Sequence, residues 1–245
     1  MTNVPDFRRV SAGNGLDWIT AGFGLFKQAP LLWIALLVLW VIGAGLVSIL
    51  PFIGSVIVNM TTAAVIGGLL LGAHGQRQGQ PLKLETLWAG FQQPHLHPLI
   101  LLGIAYLVIG VIMGVVVGGL FLASFGSAFI GGSGEINAVS FSIGGLITGI
   151  VVLALIAVFS MATWFAPGLI VFAGVAPIDA LKQSFAAALA NIGALAVYGL
   201  LSIVIVIVAS IPFGLGLFVA VPVLVIALYC SYDDVFGASA PTPLP

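Results

Sequence analysis

Residues 31–50, "LLWIALLVLWVIGAGLVSIL", contain no charged side chain and a single serine. A stretch of about 20 such residues crosses the hydrocarbon core as a helix, which satisfies its own backbone where no water is present. Five further runs follow, at about 53–73, 99–125, 143–172, 192–211 and 213–229. They are continuous, not alternating, so they do not read as the strands of about ten residues that build a membrane barrel. Composition agrees with the runs. Hydrophobic residues make up 61% of the chain and charged residues 5%, against about a quarter charged in an ordinary soluble domain. The expected class is an all-α polytopic membrane protein with six transmembrane helices.

The few charges set the expected orientation. Arg8, Arg9, Lys27, Arg77, Lys83 and Lys182 are all the basic residues present. With six spans, every one of them falls on the side that carries both termini. The other side has tight turns at Pro51 and Pro212 and a loop whose charge is Glu135. By the positive-inside rule both termini are expected in the cytoplasm. Arg8 and Arg9 stand well before the first apolar run, and no small-residue cleavage site follows a short apolar core. That run is expected to act as an uncleaved insertion signal. The expected unit is one membrane domain over 1–236, with 237–245, "GASAPTPLP" after Gly237 begins it, as a disordered tail. Nucleic acid is not expected among its partners.

The stretch before the first span, "LDWITAGF" at 16–23, recurs as "LETLWAGF" at 84–91 and "IDALKQSF" at 178–185. Each reads aliphatic, acid, five residues, phenylalanine, with Gly22, Gly90 or Ser184 just before the phenylalanine. The apolar positions follow i, i+3, i+7, one face of a helix. Pro30, Pro98 and Ile192 stand at the same distance beyond Asp17, Glu85 and Asp179, where a membrane run begins. The chain therefore reads as three repeats, about 10–75, 78–173 and 174–236, each an interfacial amphipathic helix followed by a transmembrane hairpin. Trp18, Trp33 and Trp88 are expected at headgroup depth. Asp17, Glu85 and Asp179 are expected in first helical turns, where a carboxylate offsets the helix dipole by about 0.3–1 kcal/mol. Asn14 is the expected N-cap of the first helix.

Chemistry is sparse. No ionisable residue lies at the centre of a span. Asn59, Thr61, Thr62 and Thr163 are the polar residues that could line a cavity; bonding within the bundle is their plainer role. His95 and His97 in "PHLHP" lack further ligands, and Cys230 is the single thiol. No HExxH, CxxC, GxSxG, Walker A or dinucleotide fingerprint occurs, so neither catalysis, a metal nor a cofactor is expected. Asp233 and Asp234 can pair with Arg77 or Lys83. Glycines recur in steps of four: Gly68 and Gly72, then Gly110, Gly114 and Gly118, then Gly145 and Gly149. Such faces let helices approach closely, within the bundle or between subunits. Pro167 is expected to kink the fourth span.

"GFGLFKQAPLLW", "MATWFAPGLIVF", "IDALKQSFAAALANIGALAVYGLL" and "LYCSYDDVF" together resemble a family of uncharacterised proteobacterial inner-membrane proteins. That family is distantly similar to the multi-span membrane domain attached to some glycerophosphodiester phosphodiesterases. The resemblance implies location and topology; the chain has no room for the catalytic barrel and lacks its acidic metal ligands. The expected role is non-catalytic: organising the lipid bilayer, partner membrane proteins or copies of itself. The alternative is a facilitative transporter of a small apolar or lipid-like solute.

Overall fold

The computed structural model describes residues 5–130 and 138–237, and side chains among these except at 124–130 and 138–144. The centre of the Glu135 loop and the tail 238–245 lie outside the described residues. Within them the chain is helical and no strand occurs. A short helix α1 (Asn14–Phe26) leads into a hairpin of α2 (Pro30–Ser48) and α3 (Ile53–Arg77). A single turn α4 (Thr86–Ala89) leads into α5 (Leu96–Ile130) and α6 (Ala138–Trp164), which α7 (Ala166–Ala173) continues past a break. Then α8 (Pro177–Ala190) leads into α9 (Ile192–Ser210) and α10 (Leu217–Phe236). Among the described residues six helices are long and apolar enough to cross a membrane: α2, α3, α5, α6 with α7, α9 and α10.

Local sequence explains the boundaries. Pro30 and Pro177 sit in the first turns of α2 and α8, where the missing N–H is not needed. The turns between α2 and α3 and between α9 and α10 place Phe52 and Phe213 at φ 60° and 53°. That left-handed backbone costs an L-residue roughly 1–2 kcal/mol, and both rings stand fully exposed at the far end of their hairpins. The second short helix is only one turn, shorter than its heptad-like spacing predicts. Gly90 and Pro94 follow it, and neither sustains a helix.

The short helices α4 and α8 each dock on the hairpin before them in the chain, and α1 docks on the last one. α4 lies on α3, α8 on α6 and α7, and α1 on α10 and α9. The small residue of the shared pattern is the contact each time. A Cβ on Gly22 would stand 2.8 Å from the Val223 carbonyl and 2.9 Å from the Ala227 nitrogen. A Cβ on Gly90 would overlap the Ala64 carbonyl. Ser184 is fully buried between Met161 and Phe165.

The break between α6 and α7 has two causes. Pro167 has no N–H and its ring crowds the carbonyl one turn back, at Thr163. Phe165 N–H, which a continuous helix would give to Met161, donates to the Ser184 hydroxyl at 2.9 Å, and that hydroxyl donates to the Met161 carbonyl at 2.8 Å. One side chain thus satisfies both groups that the opened ladder releases. The kink expected at Pro167 is a full interruption at Phe165, with Pro167 buried in the first turn of α7.

Packing is concentrated at the end that carries the termini. Trp33 and Leu36 at the start of α2, Ala63, Val65, Leu70 and Ala73 in α3, Leu99 and Leu102 at the start of α5, Leu169, Ile170 and Val171 in α7, and Val223, Ile226, Tyr229, Tyr232 and Phe236 of α10 belong to one buried core. Toward the other end the same spans expose large aliphatic side chains, among them Leu46, Ile112, Val115, Leu146, Ile150, Ile203 and Ile207.

Candidate functional site

Polar side chains converge at the core end of α10, in the run Tyr229–Phe236. Asp234 is the centre. Its carboxylate pairs with Arg8 and accepts from Asn14 Nδ2 at 2.8 Å and Trp18 Nε1 at 2.9 Å. Arg8 also donates to the Asp234 carbonyl. The N-terminal segment is strapped down with it. Arg8 N–H donates to the Val235 carbonyl at 3.0 Å, Val10 N–H to Asn191 Oδ1 at 2.7 Å, and Asn191 Nδ2 to the Arg8 carbonyl at 3.1 Å. Asp233 meets Arg77 Nη1 at 2.8 Å, tying α10 to α3.

Two expectations change here. Asn14 does not cap α1; its amide serves Asp234, and no side chain caps that helix. Trp18 and Trp33 are not headgroup anchors. They are 2% and 1% exposed, and each indole N–H is committed inward, to Asp234 and, at 3.0 Å, to Gln76 Oε1. An indole whose donor finds a strong buried acceptor gains more there than at a wet interface. Gln76, itself buried, donates in turn to the Leu25 carbonyl at 3.0 Å, joining α1, α2 and α3. Trp88 is exposed.

The pairing of Asp233 with Arg77 is the one expected from sequence; the partner of Asp234 is Arg8, not Lys83. Asp17 and Asp179 lie in first turns, and Asp179 stands 3.8 Å from Lys182. Glu85 instead precedes the single turn α4, without a side-chain cap bond.

Beside the carboxylates lies an aromatic cluster. His74 Nδ1 stands 3.0 Å from the Tyr229 hydroxyl, and its Nε2 stands 2.9 Å from Gln78 Nε2. Phe172 packs on His74, Tyr229 and Tyr232 at centroid distances of 5.1, 5.9 and 5.1 Å. The buried Tyr232 hydroxyl has no hydrogen-bond partner among the described residues. Cys230 is buried. Among the described residues no three His, Cys, Asp or Glu side chains are grouped closely enough to share a metal ion. His95 lies outside the spans, and burial lowers its pKa below the ordinary histidine value. The cluster is suited to locking helices together.

The four candidate cavity residues are not gathered into one polar patch by their bonds. Asn59 donates to Ser55, Thr61 to Ile57, Thr62 to Val58 and Thr163 to Phe159, each to a carbonyl one turn back on its own helix. The glycine stripes divide. Gly68 is tight against Thr86 and Gly90, and Gly72 against Thr86 and Leu82. Among the described residues, Gly110, Gly114, Gly118 and Gly149 have open space where a side chain would project; Gly145 is half-buried. The glycine that seats α5 on α3 is Gly103, against Met60. Antiparallel helices rise equally per residue, so this register puts Gly110 level with Ile53, where α3 begins. The stripe lies beyond the end of its neighbour, which a one-dimensional pattern does not reveal.

No protein-family model matches the chain. No solved structure matches it either. Across 268 aligned residues it is 26% identical to a protein of Burkholderia thailandensis named as a probable inner membrane protein, covering 95% of this chain and 94% of that one. With six apolar helices of spanning length, this similarity supports a multi-pass integral protein of the inner membrane.

Proposed function

We propose that this protein is a non-catalytic organiser of the inner membrane, gathering lipids or partner membrane proteins around a ring of three hairpins whose termini are cytoplasmic. The observation that carries the reading is the uneven packing. A dense core locks one end of the bundle, while the spans beyond it display aliphatic surface and open glycine positions to their surroundings. Lipid tails are as apolar as leucine, so such surface is covered by whatever packs best against it.

The threefold unit is supported by the cyclic docking. Each short helix rests on the hairpin before it, the first closes onto the last, and the same small position makes each contact. Cytoplasmic termini are supported by the six basic residues, which share the core end. The carrier alternative asks Asn59, Thr61, Thr62 and Thr163 to line a polar path; each spends a donor on its own helix, and we do not adopt it. Extraction into native nanodiscs followed by native mass spectrometry tests the reading. Retained phospholipid, or a defined assembly, is the expected result. A bare monomer that holds neither overturns it.

A further inference from the structure

We infer that a bilayer lipid seats one acyl chain in a lateral slot between α6 and α9, above the contact of Trp164 with Tyr198. The inference rests on the lipid-gathering reading above and assigns it a place. Three hairpins closed in a ring have three seams. In the first, α5 packs along α3; in the second, α10 packs on α2. In the third, α6 and α9 show no comparable packing among the described residues. They meet where the Trp164 and Tyr198 rings stand edge to face, 4.9 Å between centroids. The open seam belongs to the one hairpin whose second helix is interrupted, and the interruption falls at Phe165, next to that contact. There the Ser184 hydroxyl takes the Phe165 N–H and Met161 carbonyl out of the helical ladder, whereas α3 and α10 run unbroken past their own docking residues.

The floor of the slot is sealed. Trp164 Nε1 donates to Ser231 Oγ at 3.1 Å and the Tyr198 hydroxyl to the Leu224 carbonyl at 2.9 Å, so neither polar group is left for the slot. Helical phase sets the side chains above it. One and two turns above Trp164 on the same face of α6 are Ser160 and Ala157, both small and exposed, then Leu153. Above Tyr198 on α9 are Ser202, whose hydroxyl bonds its own helix at the Tyr198 carbonyl, and Ile205. The lining is small near the floor and aliphatic above.

Depth decides the occupant. Tyr198 is six residues inside the start of α9 and Trp164 nine before the end of α7, so the floor lies about 9–14 Å into a core of about 30 Å. A spanning helix of another protein cannot stop there. A lipid tail ends in a methyl group and can. The lipid is one from the leaflet opposite the termini, reaching down with its chain.

The test uses the full chain in vesicles of phosphatidylethanolamine and phosphatidylglycerol, with or without bromine near the methyl end of the acyl chains. Bromine quenches a tryptophan it touches, and the difference between the wild type and Trp164→Phe isolates the emission of Trp164. Ala157→Phe fills the slot; Val158→Phe places the same ring on an adjacent exposed position. Loss of most of the Trp164 emission in the wild type and in Val158→Phe, but not in Ala157→Phe, is the expected result. Equal quenching in all three, or none in the wild type, overturns the slot; a second copy of the chain seated there would produce the latter. If phospholipid still co-purifies in those cases, the broader reading stands without the slot. If none does, both fall.

Discussion

Replacing Ser184 by alanine removes one hydroxyl and strands two backbone groups. Phe165 is 1% exposed and Ser184 0%, so the Phe165 N–H loses its acceptor in a dry site. A buried donor or acceptor left unsatisfied costs about 1–3 kcal/mol. The Met161 carbonyl, in a partly buried place, loses a donor as well, and carbonyls tolerate this better than N–H groups. Side-chain hydrogen bonds in membrane bundles average only about 0.6 kcal/mol because the unfolded chain finds other partners in lipid. Weighing these, Ser184→Ala is expected to destabilise the protein by about 2 kcal/mol. The decisive part is the dependence on Pro167. In Pro167→Ala the ring no longer crowds the Thr163 carbonyl, α6 can continue, and Phe165 can return its N–H to Met161. On that background Ser184→Ala is expected to cost less than about 1 kcal/mol, a coupling well above the roughly 0.3–0.5 kcal/mol scatter of independent sites. Reversible unfolding in mixed micelles of mild detergent and dodecyl sulfate, followed by tryptophan fluorescence and circular dichroism, measures all four corners of the cycle. Additive effects, or a neutral Ser184→Ala, would refute the account of the helix break.

Three further outcomes are expected. Asp234→Ala leaves the buried Trp18 N–H without an acceptor and frees Arg8 and Asn14, and is expected to cost about 2–3 kcal/mol in the same unfolding assay. Gly90→Val drives a branched side chain into the Ala64 carbonyl and is expected to cost about 3 kcal/mol or more, while Gly114→Val, with open space around it, is expected to stay within about 0.5 kcal/mol. A cysteine introduced at exposed Ser11 is expected to react with a membrane-impermeant maleimide only after spheroplasts are opened, and one at exposed Leu215 in intact spheroplasts, against a silent background because Cys230 is buried. Labelling in the reverse order would refute cytoplasmic termini.

The spans were legible in one dimension because each is its own hydrogen-bonded unit. A run such as 31–50 needs no knowledge of its neighbours to be a membrane helix. The short helices were legible for the same reason, through the apolar phase of Leu16, Ile19 and Phe23 and its two echoes, and so was the Asp233–Arg77 pair, which needed only two charges at one end. What the chain could not declare is where one helix ends beside another. Gly110, Gly114 and Gly118 carry the periodicity of a packing face, yet their neighbour has run out at Ile53; Gly103, with no such pattern, makes the contact. Trp18 and Trp33 carry the chemistry of interface anchors, yet Asp234 and Gln76, distant in sequence, draw their N–H groups inward. Ser184 shared a small-residue position with Gly22 and Gly90, and only its place against Met161 and Phe165 turned its hydroxyl into the wedge that opens α6. Hydropathy and period are properties of a segment. Register, burial and the partner of a hydrogen bond belong to pairs of segments, and the tertiary structure alone decides them.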